Sequence, residues 1–175
     1  MKKYMRIILI ATFTILTTTL FAQERKINKG ETWYRIYTGK SLEMKTDKQN
    51  NFSANIINTG NFLVFEYYKR ADEYADMTDD EYMEKIVFEV PKNAKSFNFT
   101  DVSLKAAFLR SCFCPDRGWH EINVGFIKGK KINATTWNVE IDIMTKPDMV
   151  RKSAPIAMKF KATYKVFHQP VIKKK

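Results

Sequence analysis

The chain has 175 residues, with 30 Lys+Arg against 19 Asp+Glu for a formal net charge of +11, and hydrophobic residues make up 45% of it. That length supports one domain with a sizeable core and not comfortably two. No stretch repeats at a fixed period, is of low complexity or reads as a Gly/Ser linker, which excludes a repeat array and argues for one continuous domain.

The first 22 residues read as an export signal. Lys2, Lys3 and Arg6 make a basic start, an apolar, threonine-containing run extends from Ile7 to Phe21, and Ala22 offers a small residue at a cleavage site before Gln23. The expected organisation is therefore a signal peptide over 1–22, a β-rich domain over 23–170 and a basic tail over 171–175. Thr12, Thr14, Thr17, Thr18 and Thr19 lower the hydrophobicity of the run and no basic stop-transfer cluster follows it. The mature chain is expected to be soluble, not membrane-spanning, and either periplasmic or secreted. Lipid attachment at the cleavage point would need a cysteine there, and both cysteines lie far downstream. Losing Lys2, Lys3 and Arg6 with the signal lowers the charge from +11 to +8, which favours an anionic surface, a polysaccharide or an acidic protein as partner, and export argues against nucleic acid. The lysines are spread along the chain apart from Lys128-Gly129-Lys130-Lys131 and Lys173-Lys174-Lys175, a pattern that solubility alone also explains.

Alternation of apolar and polar residues, with aromatic and β-branched side chains filling it, predicts strands over 32–38, 52–57, 62–69, 86–90, 96–100, 107–113, 120–128, 136–144 and 156–167. Pro91, Pro115, Pro147, Pro155 and Pro170 fall between or at the ends of these segments, where a missing N–H does a sheet no harm. Trp137, Val139, Ile141 and Ile143 share one face of their strand, and Phe160, Ala162, Tyr164 and Val166 share one face of theirs. The opposite faces carry Glu140 and Asp142 on the first strand and Lys159, Lys161 and Lys165 on the second. Complementary charge predicts that these two strands are neighbours. One wet face per strand predicts antiparallel sheets over a single core. The fold class is all-β: an antiparallel β-sandwich or, alternatively, a closed β-barrel, with one short helix near residues 79–85.

That helix is suggested by a capping box from Thr78 to Glu81, with Asp79 and Asp80 in its first turn and Met77 set to staple onto Tyr82. Asp72, Glu73, Asp76, Asp79, Asp80, Glu81 and Glu84 make the segment acidic, but without the residue order of a calcium loop.

Candidate chemistry concentrates in Arg110-Ser111-Cys112-Phe113-Cys114-Pro115-Asp116-Arg117-Gly118-Trp119-His120. In an extended strand, cysteines two apart have Cα atoms about 6.7 Å apart, near the upper limit for a disulfide, so a Cys112–Cys114 bridge needs a sharp bend. Such a bridge is the leading reading, and two packed thiols the next. A metal set of Cys112, Cys114, His120 and His168, with Asp116 in reserve, is the third, although Cys-x-Cys is not the usual spacing of structural zinc sites. His120 shares its parity with Ile122, Val124 and Phe126, as a core histidine would. Redox catalysis is weaker again, because no Cys-x-x-Cys at a helix start lowers a thiol pKa.

No nucleophile elbow, zinc-protease helix or glycine-rich phosphate loop is present, so no catalytic residue and no cofactor is expected. The leading reading is an exported, non-enzymatic binding protein. In a sandwich, recognition would come from the loops 110–120 and 145–155 at one end, with Arg110, Asp116, Arg117 and Trp119 as contact residues. A metal- or redox-active protein built on Cys112 and Cys114 is the second reading, and a barrel carrying a small apolar ligand the third. Trp33, Tyr34, Tyr37, Tyr67, Tyr68 and Trp119 could line a sugar- or peptide-binding face, or simply fill a core.

Overall fold

A computed structural model describes residues 27–74, 81–100, 105–147 and 154–168. These hold the strands β1 (Ile27–Asn28), β2 (Glu31–Thr46), β3 (Phe52–Arg70), β4 (Glu73–Tyr74), β5 (Met83–Pro91), β6 (Ser96–Thr100), β7 (Ala106–Ser111), β8 (Gly118–Lys131), β9 (Thr136–Thr145) and β10 (Ala157–Val166). The protein is all-β.

Hydrogen-bonded neighbours run β8–β7–β5–β3–β2–β10–β9, and β9 pairs back onto β8, so the ladder closes into a ring. Of the two packings expected, this closure is barrel-like, with the β10–β2 seam paired only at the end of β10. All pairings in the ring are antiparallel except one. The seam between β10 and β2 is parallel and short, joining Lys165 to Arg35 and Val166 to Ile36. Strand β6 lies beside β8 from Ser96↔Lys130 to Thr100↔Phe126, beyond the stretch of β8 that β7 occupies. Strands β1 and β4 form a separate two-stranded sheet.

Inside the ring, alternate side chains from every large strand meet. Phe65 stacks on Phe88 at 4.8 Å and meets Trp137 edge-on at 5.6 Å, and Tyr164, Phe108, Ile86 and Ile141 are fully buried around them. Each such side chain contributes roughly 1.5–3 kcal/mol through burial. At this level the interior is filled by protein, as in other small barrels.

The expected faces of β9 and β10 are present. Trp137, Val139, Ile141 and Ile143 are buried, and the register sets Lys159 opposite Asp142 and Lys161 opposite Glu140. Ion pairs join Lys159 to Asp142 at 2.6 Å and Lys161 to Glu140 at 3.3 Å. Lys165 faces Thr136 instead.

Three expectations need correction. The segments 52–57 and 62–69 belong to one strand, β3, whose partner register slips where Lys40 pairs Phe62 and Ser41 pairs Ile57. Gly39 and Gly60 carry the positive φ values, 67° and 149°, that let this irregularity form. Secondly, of the helix expected near 79–85, Asp79 and Asp80 lie outside the described residues, Glu81 and Tyr82 are irregular, and Met83–Lys85 already belong to β5. Pairing on both sides, to Arg70 of β3 and Ser111 of β7, overrides the local capping signal at Met83. Thirdly, there is a second, smaller core. Past the irregularity, the distal part of the β2–β3 hairpin packs on the outside of the ring. Leu42 and Ala54 meet Val87 of β5 and Ala107 of β7 there, with Trp119 against them. Strand β5 is therefore buried on both faces from Ile86 to Val90. Glu89, at the edge of that layer, accepts the Leu42 N–H at 2.6 Å and pairs with Lys105 at 3.0 Å.

Candidate functional site

Between Ser111, the last residue of β7, and Gly118, the first of β8, the chain turns at one end of the ring. Cys112 and Cys114 are joined there as a disulfide with Cα atoms 5.2 Å apart, shorter than an extended strand allows, because residues 112–114 bend. Between them Phe113 is 77% exposed. Polar contacts at the ring end hold the turn. Arg110, on the inward side of β7 with Phe108, donates to Asp116 at 2.6 Å and to Glu84 at 3.2 Å. Glu84 also accepts the Tyr82 hydroxyl. His120 Nε2 lies 2.7 Å from the Asp116 carbonyl oxygen, and the Arg117 N–H donates to the Cys114 carbonyl at 3.3 Å. Burial, together with the hydrogen bond to Glu84 and that carboxylate's charge, raises the Tyr82 pKa to about 12.

This placement sorts the expected site residues. Cys112, Cys114 and Asp116 bring one ligand atom each within 4.8 Å of one another. The expected Cys112/Cys114/His120/His168 metal set is not assembled. His120 is buried and bonded to the Asp116 backbone. His168 follows Val166, which pairs with Ile36, whereas Ser111 aligns through Met83 and Arg70 with Glu31. Five residues of β2 separate those levels, on the order of 17 Å.

Of the expected recognition residues, Arg110 and Asp116 neutralise each other and Trp119 packs into the outer core; Arg117 is exposed. The loops 110–120 and 145–155 do converge, around a hollow of about 460 Å³ lined by Arg110, Pro115, Asp116, Ala154, Pro155 and Ile156. Residues 148–153 lie outside the described residues.

The aromatic set divides between the two sides of the barrel wall. Tyr34 and Tyr67 belong to the ring core. Outside, Trp33 stacks on Tyr68 at 3.8 Å, and Arg35 sits 4.1 Å from the Trp33 ring and 4.3 Å from Phe167. Beneath them the buried carboxylate of Glu66 accepts Trp33 Nε1–H at 3.0 Å and the Tyr37 hydroxyl at 2.9 Å. Both faces of Trp33 are thus covered by protein, which leaves no open platform for stacking a sugar.

A larger concavity, about 860 Å³, lies on the outside of β6, β8, β9 and β10. Asn98, Lys128, Lys130, Asn138, Lys161 and Thr163 line it, with Glu140 as the one carboxylate. Lys128 and Lys161 share Glu140 at 3.2 and 3.3 Å. Desolvation opposes ionisation of Glu140, but hydrogen bonds and charge from these two lysines prevail and hold its pKa below the ordinary carboxylate value. Among the described residues Lys130 has no carboxylate partner, and Thr163 Oγ1 donates to Asn138 Oδ1 at 3.0 Å. At the floor Gly129 is required, since a Cβ there would meet the Phe97 ring at 2.3 Å. Sequence reasoning missed this groove. The outward parity of Lys128, Lys130, Asn138, Lys161 and Thr163 was legible, but the pairing of β6 and β9 to opposite edges of β8 was not.

No family model, no curated protein and no solved structure matches this chain.

Proposed function

We propose that this is an exported binding protein that takes an acidic polysaccharide, without acting on it chemically, in the groove across β6, β8, β9 and β10. The carrying observation is the groove itself: three lysines and the amide or hydroxyl side chains of Ser96, Asn98, Asn138 and Thr163 facing a concavity of about 860 Å³ with one carboxylate among them. Clefts of this size suit a ligand of several sugar rings. Amides and hydroxyls match sugar hydroxyls, and lysines match uronic-acid carboxylates as mobile point charges. Lys130 is the lysine left for the ligand, because Lys128 and Lys161 are engaged with Glu140. Export would follow cleavage after Ala22, giving a mature protein whose intact mass begins at Gln23; retention of Met1–Ala22 in the native host would move the proposal to a membrane-anchored protein.

The test is titration of the mature protein with oligogalacturonate and, separately, with a neutral cello-oligosaccharide, followed by amide chemical shifts. Oligogalacturonate is expected to shift groove residues around Lys130 and Asn138. Lys130→Glu weakens binding about tenfold, equivalent to about 1.4 kcal/mol, and Lys40→Glu, on the hairpin and with the same charge change, leaves it near wild type. Equal weakening by both variants, or no shift in the groove, would refute the assignment.

A further inference from the structure

We propose that the Cys112–Cys114 bond is an exchangeable disulfide that oxidises a dithiol in an apolar segment of a partner polypeptide, with Phe113 as the contact. Four features of the ring end support this. The bond spans a single intervening residue, so it removes little loop-closure entropy from the unfolded chain and stabilises the fold little. It lies between the ends of β7 and β8 and outside their ladder, which runs from Ala107↔Glu121 to Arg110↔Gly118. The turn has its own fastenings in Arg110–Asp116, Arg110–Glu84 and His120–Asp116, so it can keep its shape with the bond open. Finally, both cysteines are part-exposed, and Phe113 between them is the most exposed of the large apolar side chains among the described residues. Accessible disulfides in small loops are the ones open to exchange, and an apolar side chain held out beside the sulfurs suits contact with an unfolded or apolar segment.

The exchange balances as two displacements. A thiolate of the partner attacks one of the two sulfurs, forming a mixed disulfide and releasing the other cysteine as a thiolate, which takes up a proton. The partner's second thiolate then attacks the mixed disulfide, forming the partner's own disulfide and releasing the remaining cysteine. The partner loses two electrons and two protons, and Cys112 and Cys114 gain them as thiols. A small-molecule disulfide such as oxidised glutathione restores the starting state by the same two steps in reverse. Asp116 lies beside the sulfurs, and its pairing with Arg110 offsets the repulsion an approaching thiolate would meet.

The experiment uses the full mature chain. Incubation with millimolar reduced glutathione, followed by alkylation and mass measurement, is expected to open the bond while circular dichroism and melting temperature stay near those of the oxidised protein. Oxidised protein mixed with reduced, unfolded ribonuclease is expected to pass on one disulfide per chain. Phe113→Ser slows that transfer about tenfold and leaves the rate with glutathione unchanged, and the Cys112→Ser/Cys114→Ser double variant folds but transfers nothing. A bond that survives a large excess of glutathione, or a protein that unfolds when the bond opens, would overturn the proposal in favour of a structural bridge. Equal slowing of both reactions by Phe113→Ser would remove the contact role. Stoichiometric zinc retained by the reduced protein through Cys112, Cys114 and Asp116, and blocking transfer, would assign the cluster to metal holding instead.

Discussion

Leu42→Ala tests whether the hairpin's distal half is part of the fold or an appendage. Leu42 is 1% exposed and lies against Val87 and Ala107 on the outside of the ring. Truncation removes three carbons, about 2.4 kcal/mol at roughly 0.8 kcal/mol each, and a residual cavity adds to this. The outer cluster has only four buried members, so its rim can partly collapse, and a total of about 2–3 kcal/mol is expected. Against a typical stability of about 5–15 kcal/mol this is a large loss. Urea unfolding followed by tryptophan fluorescence should show a midpoint lowered by on the order of 1 M with an unchanged slope. Lys45→Ala, exposed near the tip of the same hairpin, serves as the control and should stay within about 0.5 kcal/mol of wild type. If Leu42→Ala costs no more than that control, the hairpin does not lie on the ring and the second core is wrong. A lower slope for Leu42→Ala would instead indicate that the hairpin detaches as a unit before the ring unfolds.

Two further outcomes follow from the charges. Lys159→Glu should destabilise the protein slightly, and adding Asp142→Lys should restore it, with the coupling shrinking at high salt because the pair is exposed; strict additivity would contradict the β9–β10 register. Tyr82 should titrate near pH 12, above its ordinary 10.0, because it is half-buried and bonded to Glu84. Its folded pKa is raised, so the stability it contributes is complete below pH 10 and is lost as pH rises through about 12. Tyrosinate absorbance compared with Tyr82→Phe measures this, and a phenol titrating at its ordinary pKa would show that the Glu84–Arg110 cluster leaves Tyr82 in solvent.

The fold class, most strand positions and the inward faces of β9 and β10 were legible in the residues, because a period of two along a half-buried strand is a local property. The sequence even identified one strand pair, since opposed rows of lysine and carboxylate are a pairing signal readable without a structure. Arg110 and Trp119 show where that reading stops. Both look like exposed loop chemistry in the sequence, yet one is turned inward to Glu84 and Asp116 and the other is covered by the hairpin. From Met83 onward the helix suggested by the capping signal gives way for a related reason: local preferences worth about 1 kcal/mol yield to a strand paired along both edges. Ring closure through β8 and β9, the hairpin folded onto β5 and β7, and the groove beside β6 were decided by tertiary structure alone. Each depends on which strand edges meet across long stretches of chain, and no periodicity within a single segment encodes that.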